Sequence, residues 1–288
     1  MVLESLTSPA RAERKPSHLI FYGILYASVA IILSLWIFRE QSSLIMVFLT
    51  VLASIPLIYN TLKLEERKDE TIQNEKRLLK EHWKALSYFM YMFIGFLIAY
   101  SLWYIFLPTN SVETLFSTQI STIKSINSNL ININLSTSAF NREDILYKII
   151  DNNIKVLLFS ILFSFFYGAG AIFILTWNAS VIAGAMGIYI RNNLSKVTAT
   201  LGFSQISQYF SIFSVGFFRY MTHGIFEILA YFIGALAGGI ISIAVIKNDI
   251  YSKKFLHVMK DVSVLIILAL MIIIIGALVE VYITPSLF

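Results

Sequence analysis

The chain has 288 residues, of which 57% are hydrophobic and 14% charged, and its mean hydropathy is +0.75. A soluble domain is nearer one quarter charged, so this composition excludes an ordinary soluble protein. The absence of cysteine excludes disulfides, thiolate metal sites and cysteine nucleophiles, and we interpret the net charge of +5 as membrane topology and not as nucleic-acid binding.

Several apolar runs exceed 18 residues, which predicts an all-α fold: a polytopic helical membrane protein with about seven transmembrane helices. The first two spans are predicted at Leu19–Phe38 and Ser43–Leu62, and Pro56 is expected to kink the second. The first run is too long for a signal peptide, so we expect it to be retained. Residues 1–62 are therefore assigned to an N-terminal segment with a transmembrane hairpin.

The most polar stretch, 63–84, interleaves seven Lys or Arg residues with six Asp or Glu residues. Its apolar residues recur near multiples of a helical turn, which predicts a helix about 33 Å long. Such a helix either links two membrane parts through solvent or docks a cytoplasmic partner or the lipid surface. We assign 63–85 to a charged cytoplasmic linker helix and 86–288 to a membrane domain.

A third span is predicted at Ser87–Leu107, before Pro108, and the polar segment 108–152 is expected to be an extracytoplasmic loop with short helices. Apolar sequence then continues from Asn153 to Ile190, which is too long for one ordinary span. Either a long tilted helix projects from the membrane, or the chain breaks near Trp177 and Asn178. We favour the break, because an Asn side chain can cap a new helix.

The last three spans are predicted at Leu201–Phe218, Thr222–Ile246 and Val262–Ile283, with a tight turn at Arg219 and Tyr220. With the N-terminus inside, the inner segments are 1–18, 63–84, 191–202 and 247–262. They carry 16 Lys or Arg residues and the outer segments five. This asymmetry predicts a multi-pass plasma-membrane protein with a cytoplasmic N-terminus and an extracytoplasmic C-terminus.

This topology brings polar residues from three helices to a similar depth near the outer face: Asn152, Asn153, His223, Glu227 and Glu280. Three hypotheses account for them. A protonated glutamate could bond the helices together; His223, Glu227 and Glu280 could bind a divalent metal such as zinc; or the groups could form a proton relay or a polar substrate pathway. The sequence contains no recognisable catalytic set, so it gives no basis for assigning an enzymatic activity.

The order and spacing of several short motifs resemble the stage II sporulation protein M family over Leu86–Pro285. The motifs are Asn152-Asn153, Gly168/Gly170, Asn178, Gly184, His223-Gly224-Ile225-Phe226-Glu227, Gly238, and Ala277-Leu278-Val279-Glu280 with Pro285. The resemblance adds Asn178 to the set of candidate polar residues.

The resemblance implies an integral membrane protein with five core spans. In sporulating bacteria the namesake resembles a membrane scaffold that holds the cell-wall hydrolases of forespore engulfment. We therefore expect a scaffold for envelope or membrane-remodelling proteins, in contact with membrane lipids and without nucleic acid. The alternative is a transporter or a membrane-embedded metal-dependent enzyme centred on His223, Glu227 and Glu280. A homodimer on the glycine-lined helices is a further expectation.

Overall fold

The computed structural model describes residues 16–71, 75–125, 142–167, 171–195, 197, 203–247 and 252–287, and these residues form helices without a strand. The helices are α1 (His18–Ile37), α2 (Ser42–Thr71), α3 (Glu75–Phe106), α4 (Thr109–Leu115), α5 (117–125), α6 (Arg142–Tyr167), α7 (Ala171–Leu194), α8 (Phe203–Lys247), α9 (Lys253–Leu278) and α10 (Thr284–Leu287). A π-helical turn, Val279–Ile283, joins α9 to α10.

Seven helical segments of the described chain are long and apolar enough to cross a membrane, which confirms the predicted fold class. They are His18–Ile37, Arg39–Glu65, Lys80–Phe106, Arg142–Phe166, Ala171–Leu194, Ser207–Ile246 and Phe255–Leu287. Large apolar side chains remain exposed along them, including Trp36 and Phe106 near helix ends. Such exposure is expected of a surface that faces lipid.

The predicted chain break at Asn178 is wrong. Helix α6 ends at Tyr167 and α7 begins at Ala171, so two helices are already distinct before Asn178; residues 168–170, with Gly168 and Gly170, lie outside the described residues. Asn178 instead lies inside α7, where its side-chain amide donates a 3.0 Å hydrogen bond to the carbonyl oxygen of Ile174, one turn before. A polar side chain that bonds its own helix does not need to end it.

The predicted turn at Arg219 and Tyr220 is also wrong, because α8 runs through both residues without interruption. At 45 residues α8 is about 68 Å long, more than twice what a bilayer core requires. The guanidinium carbon of Arg219 lies 5.8 Å from the centre of the Tyr189 ring, so the charge has an aromatic partner on α7. The charged residue in this apolar run therefore does not mark a loop.

These two corrections move the end of α7 to the opposite side of the bundle from the one predicted. Arg191 donates to the carbonyl oxygens of Tyr104 and Leu107, at 3.2 and 3.3 Å, so the end of α7 lies beside the end of α3. The sequence analysis had assigned residues 191–202 to the side opposite the end of the third span. The predicted turn at Arg219 and Tyr220 is absent, and a separate helix boundary lies between α6 and α7. Because these two changes cancel, the directions of α9 and of the second half of α8 are as predicted.

The polar stretch 63–84 forms a hairpin, in contrast to the single straight helix that was predicted. Buried His82 lies with its Nδ1 2.8 Å from Oε2 of buried Glu65, whereas 17 residues of straight helix would separate them by about 25 Å. Lys68 Nζ donates to the other oxygen of Glu65 at 2.6 Å and lies 3.4 Å from Glu81. We call the end of α2 and the start of α3, residues 63–71 and 75–84, the charged hairpin.

Helices α1 and α2 pack directly on the rest of the bundle. Helices α1 and α3 cross at Gly23 and Gly95, and a Cβ atom on either glycine would collide with backbone of the other helix. Tyr100 of α3 donates a 2.9 Å hydrogen bond to Thr50 of α2 within the buried core. Two glycines of the later helices likewise face neighbours in the same chain: Gly187 meets the Tyr104 ring and Gly238 meets the backbone of Ile161.

Candidate functional site

Helix α8 presents a ladder of polar side chains to its neighbours. His223, Glu227 and Tyr231 follow each other at intervals of four residues, so they lie on one face, about one turn apart. This face meets Asn153 of α6 and, at the end of α9, Glu280 and Thr284. We call these six residues the polar cluster.

Asn153 connects α6 to α8 through both ends of its amide. Its Nδ2 donates a 2.6 Å hydrogen bond to Glu227 Oε1, and its Oδ1 accepts a 2.9 Å bond from the Tyr231 hydroxyl. Asn153 is 3% exposed and Tyr231 4%. Because Asn153 and Tyr231 are buried, these hydrogen bonds avoid the free-energy cost of leaving their polar atoms unpaired.

Glu280, in the π-helical turn after α9, brings a second carboxyl group to the cluster, close to that of Glu227. His223 Nε2 lies 3.9 Å from Glu280 Oε1, and its Nδ1 lies 3.4 Å from the Thr284 hydroxyl. Three helices thus meet through one connected set of polar groups.

The cluster is open at one end and closed at the other. The side chains of Glu280 and His223 are 31% and 17% exposed, whereas Asn153 and Tyr231 are almost completely covered. The start of α6 lies beside the π-helical turn that carries Glu280, since the Arg142 guanidinium carbon is 5.9 Å from the centre of the Tyr282 ring. The more exposed end of the cluster therefore lies near the start of α6.

The π-helical turn sets the position of Glu280. Val279–Ile283 has the wider π winding, and Thr284 closes it by donating from its backbone N–H and its hydroxyl to the carbonyl oxygen of Val279, the hydroxyl at 3.2 Å. The extra residue in this turn allows Glu280 and Thr284 both to approach His223. π-Turns of this kind occur frequently at functional sites.

The structure brings together most of the residues that the sequence analysis selected. Asn153, His223, Glu227 and Glu280 are in the cluster, while Asn152 lies at its edge with a 3.4 Å contact from its Nδ2 to the Asn153 Oδ1. Asn178 is not part of the cluster, and its amide bonds its own helix. The sequence analysis missed Tyr231 and Thr284, although each follows a selected glutamate by four residues, which is the signal that could have found them.

The proposed metal site receives no support from the geometry. Within the described part of the chain, no three His, Cys, Asp or Glu side chains are placed to hold a metal ion. One oxygen of Glu227 is already the acceptor for Asn153. The arrangement therefore favours hydrogen bonding between helices over coordination by His223, Glu227 and Glu280.

Comparison with known proteins gives one finding. A family model described as Stage II sporulation protein M matches residues 84–285. No curated protein and no solved structure matches the chain. The matched range contains the whole polar cluster and begins just after His82, so α1, α2 and most of the charged hairpin lie before it.

Proposed function

The chain belongs to the stage II sporulation protein M family, and from this membership we propose that it is an integral membrane scaffold that assembles envelope or membrane-remodelling partner proteins. Two features support the proposal. The polar groups of the site are used to bond helices to each other, as a rigid support requires. A fixed polar surface also extends the bundle at the charged hairpin.

The observation that carries the proposal is the charged hairpin. Its two legs are held together by the buried contact of Glu65 with His82 and by Lys68, which lies 3.4 Å from Glu81. Trp83, directly beside them, is 58% exposed, and Lys80 is exposed near it. A rigid surface that combines an aromatic ring with charges suits a protein partner, because binding then orders few side chains and Trp is common at binding hot spots.

We propose further that the hairpin faces the cytoplasm, with the chain in the plasma membrane, the N-terminus inside and the C-terminus outside. With the helix ends grouped as the structure groups them, 14 of the 22 Lys and Arg residues flank the hairpin side and eight flank the other side. Positive charge favours the cytoplasmic side. The corrected grouping weakens the asymmetry but keeps its direction.

The alternative of a transporter or a metal-dependent enzyme has no comparable support. Its centre, His223, Glu227 and Glu280, is not arranged to hold a metal. The described contacts of these residues connect α6, α8 and the segment after α9 to each other. Such contacts between helices are what a scaffold requires. We therefore retain the scaffold as the proposed function.

A photo-crosslinking experiment tests the proposal. A photoreactive phenylalanine analogue is placed at Trp83 in the full-length protein, and its matched control carries the same group at Phe159, a 54% exposed side chain on the outer face of α6. In native membranes we expect a discrete protein adduct from position 83 and lipid adducts alone from position 159. Lipid adducts alone from both positions would overturn the assignment of this surface to a protein partner.

A further inference from the structure

A cavity of about 420 Å³ opens at the end of the bundle where α3 and α7 terminate. It is distinct from the polar cluster, and neither the sequence motifs nor the proposed function accounts for it. Its floor is formed by the Tyr104 ring with the apolar side chains of Val112, Ile120 and Ile188. Its volume is in the range of cavities that hold small ligands.

Charged side chains of both signs line this cavity. Glu113 comes from α4, Lys124 from α5 and Arg191 from α7. Glu113 and Lys124 are exposed and form no ion pair within the described chain. An anionic group and a cationic group could therefore be bound in the same cavity without breaking an existing pair.

Arg191 is held in place at the cavity wall. Its Nη1 donates to the carbonyl oxygens of Tyr104 and Leu107, and its Nη2 donates to the Thr109 hydroxyl at 2.9 Å. A guanidinium has five N–H donors, so two are left for a ligand. A fixed guanidinium with spare donors is well suited to bind the oxygens of a phosphate.

The cavity lies at the ends of two helices that are long and apolar enough to span a membrane. Tyr104 is two residues before the end of α3, a membrane-spanning helix, and Arg191 is three residues before the end of α7, which is another. Aromatic residues at such positions are typical of the membrane interface. The abundant ligands here carry a phosphate, and many also carry an ammonium group.

We propose that this cavity binds a zwitterionic phosphate ester, of the phosphoethanolamine class, with its phosphate on Arg191 and Lys124 and its ammonium group on Glu113. The apolar floor covers the carbon atoms between or beside these groups. The same chemistry could come from a phosphatidylethanolamine headgroup or from a soluble phosphoethanolamine. The inference is independent of the proposed scaffold function.

Native mass spectrometry of the full-length protein in detergent tests this proposal. Phosphatidylethanolamine, phosphatidylglycerol and phosphatidylcholine are added in equal amounts, and the bound fraction of each is compared. Phosphatidylethanolamine has an ammonium group that donates hydrogen bonds. Phosphatidylglycerol has no ammonium group, and the ammonium group of phosphatidylcholine is methylated and cannot donate. Because Glu113 is exposed, we expect a preference for phosphatidylethanolamine of roughly two- to fivefold.

The variants make the test specific. Glu113→Gln should abolish the preference for phosphatidylethanolamine. Lys124→Gln should weaken the binding of all three lipids alike. Glu143 is an exposed acid at the start of α6, and Glu143→Gln should change neither the preference nor the binding. Displacement of bound lipid by free phosphoethanolamine would assign a soluble source, and resistance to it would assign the lipid. No preference in the wild type, or a preference that survives Glu113→Gln, would overturn the proposal.

Discussion

Among single residues, Asn153 connects α6 to α8 through two hydrogen bonds. Replacement by alanine would leave Glu227 without an amide donor and the Tyr231 hydroxyl without its acceptor. We expect Asn153→Ala to lower the free energy of unfolding by about 1–3 kcal/mol, because both partners stay buried. The measurement is the thermal midpoint of the purified protein in detergent micelles.

The neighbouring asparagine is a matched control for this change. Asn152 is exposed and has one long contact, to Asn153 itself. Asn152→Ala should therefore leave the thermal midpoint nearly unchanged. Equal effects of the two substitutions would mean that the contacts of Asn153 do not stabilise the bundle.

Two glycines with different surroundings give a second prediction at this scale. A Cβ on Gly95 would collide with α1, whereas a Cβ on Gly224 would meet nothing within 4 Å. We expect Gly95→Ala to destabilise the protein by about 1–3 kcal/mol, as overpacking does. Gly224→Ala should stabilise it by up to about 1 kcal/mol, because alanine favours helix more than glycine. The same sign for both changes in a thermal melt would contradict this account.

At the scale of helices, the charged hairpin depends on a buried polar pair. His82→Leu would leave Oε2 of Glu65 buried without its partner, and we expect a loss of about 1–3 kcal/mol. The double substitution Glu65→Leu with His82→Leu removes both polar groups and should recover most of that loss. Thermal unfolding of the two variants beside the wild type gives the comparison.

Arg67→Gln is the control for the hairpin, since Arg67 is an exposed residue of the same leg. Its effect should stay within about 0.5 kcal/mol, as for most surface changes. If the double variant were less stable than His82→Leu alone, the two residues would contribute through contacts other than the one they share.

The helix boundaries show what the sequence could predict about this site. Charge and length did not decide whether the helix boundary lies at Asn178 or between Tyr167 and Ala171. An asparagine gives no decision either, because it can cap a new helix or bond back within its own. The sequence predicts a turn at Arg219 because a charge within an apolar run is costly without a partner. The partner of Arg219, the Tyr189 ring, is distant in sequence and cannot be identified from it. His223, Glu227 and Glu280 nevertheless lie together, because the two errors left the direction of α8 and α9 unchanged.

The π-helical turn was beyond the sequence analysis for a different reason. Nothing in the residues Val279–Ile283 distinguishes π from α winding, which is decided by packing around Glu280 and Thr284. Periodicity did predict that His223 and Glu227 share a face, and the same argument extended by one turn would have found Tyr231. Local spacing was therefore informative, while contacts between helices and local winding were not.

For the whole molecule, the match to the family begins at residue 84, yet α1 and α2 are integral to the bundle. Gly23 and Gly95 bring α1 against α3, and Ser43 of α2 donates a hydrogen bond to Thr118 of α5 at 2.5 Å. Gln119, next to it, bonds both Ser43 and Ser180 of α7. Helix α1 thus packs on α3, and α2 is connected to α7 through Gln119, so both N-terminal helices are joined to the part of the chain that the family model matches.

The absence of cysteine from the whole chain permits a direct test of the topology. The structure places the end of α7 and the start of α9 on opposite sides of the bundle, whereas the sequence analysis placed 191–202 and 247–262 on the same side. Single cysteines at the exposed positions Ser195 and Lys253 report on the two ends, with Asn110→Cys, beside the end of α3, as the reference.

With a membrane-impermeant maleimide on intact cells, we expect Ser195→Cys and Asn110→Cys to be labelled and Lys253→Cys to be labelled only after permeabilisation. The reason is that Arg191 is bonded to the end of α3, which fixes residue 195 near residue 110. Reversal of all three results would invert the proposed orientation and keep the bundle. Labelling of Ser195→Cys together with Lys253→Cys, and apart from Asn110→Cys, would instead contradict the path of the chain through α7 and α8.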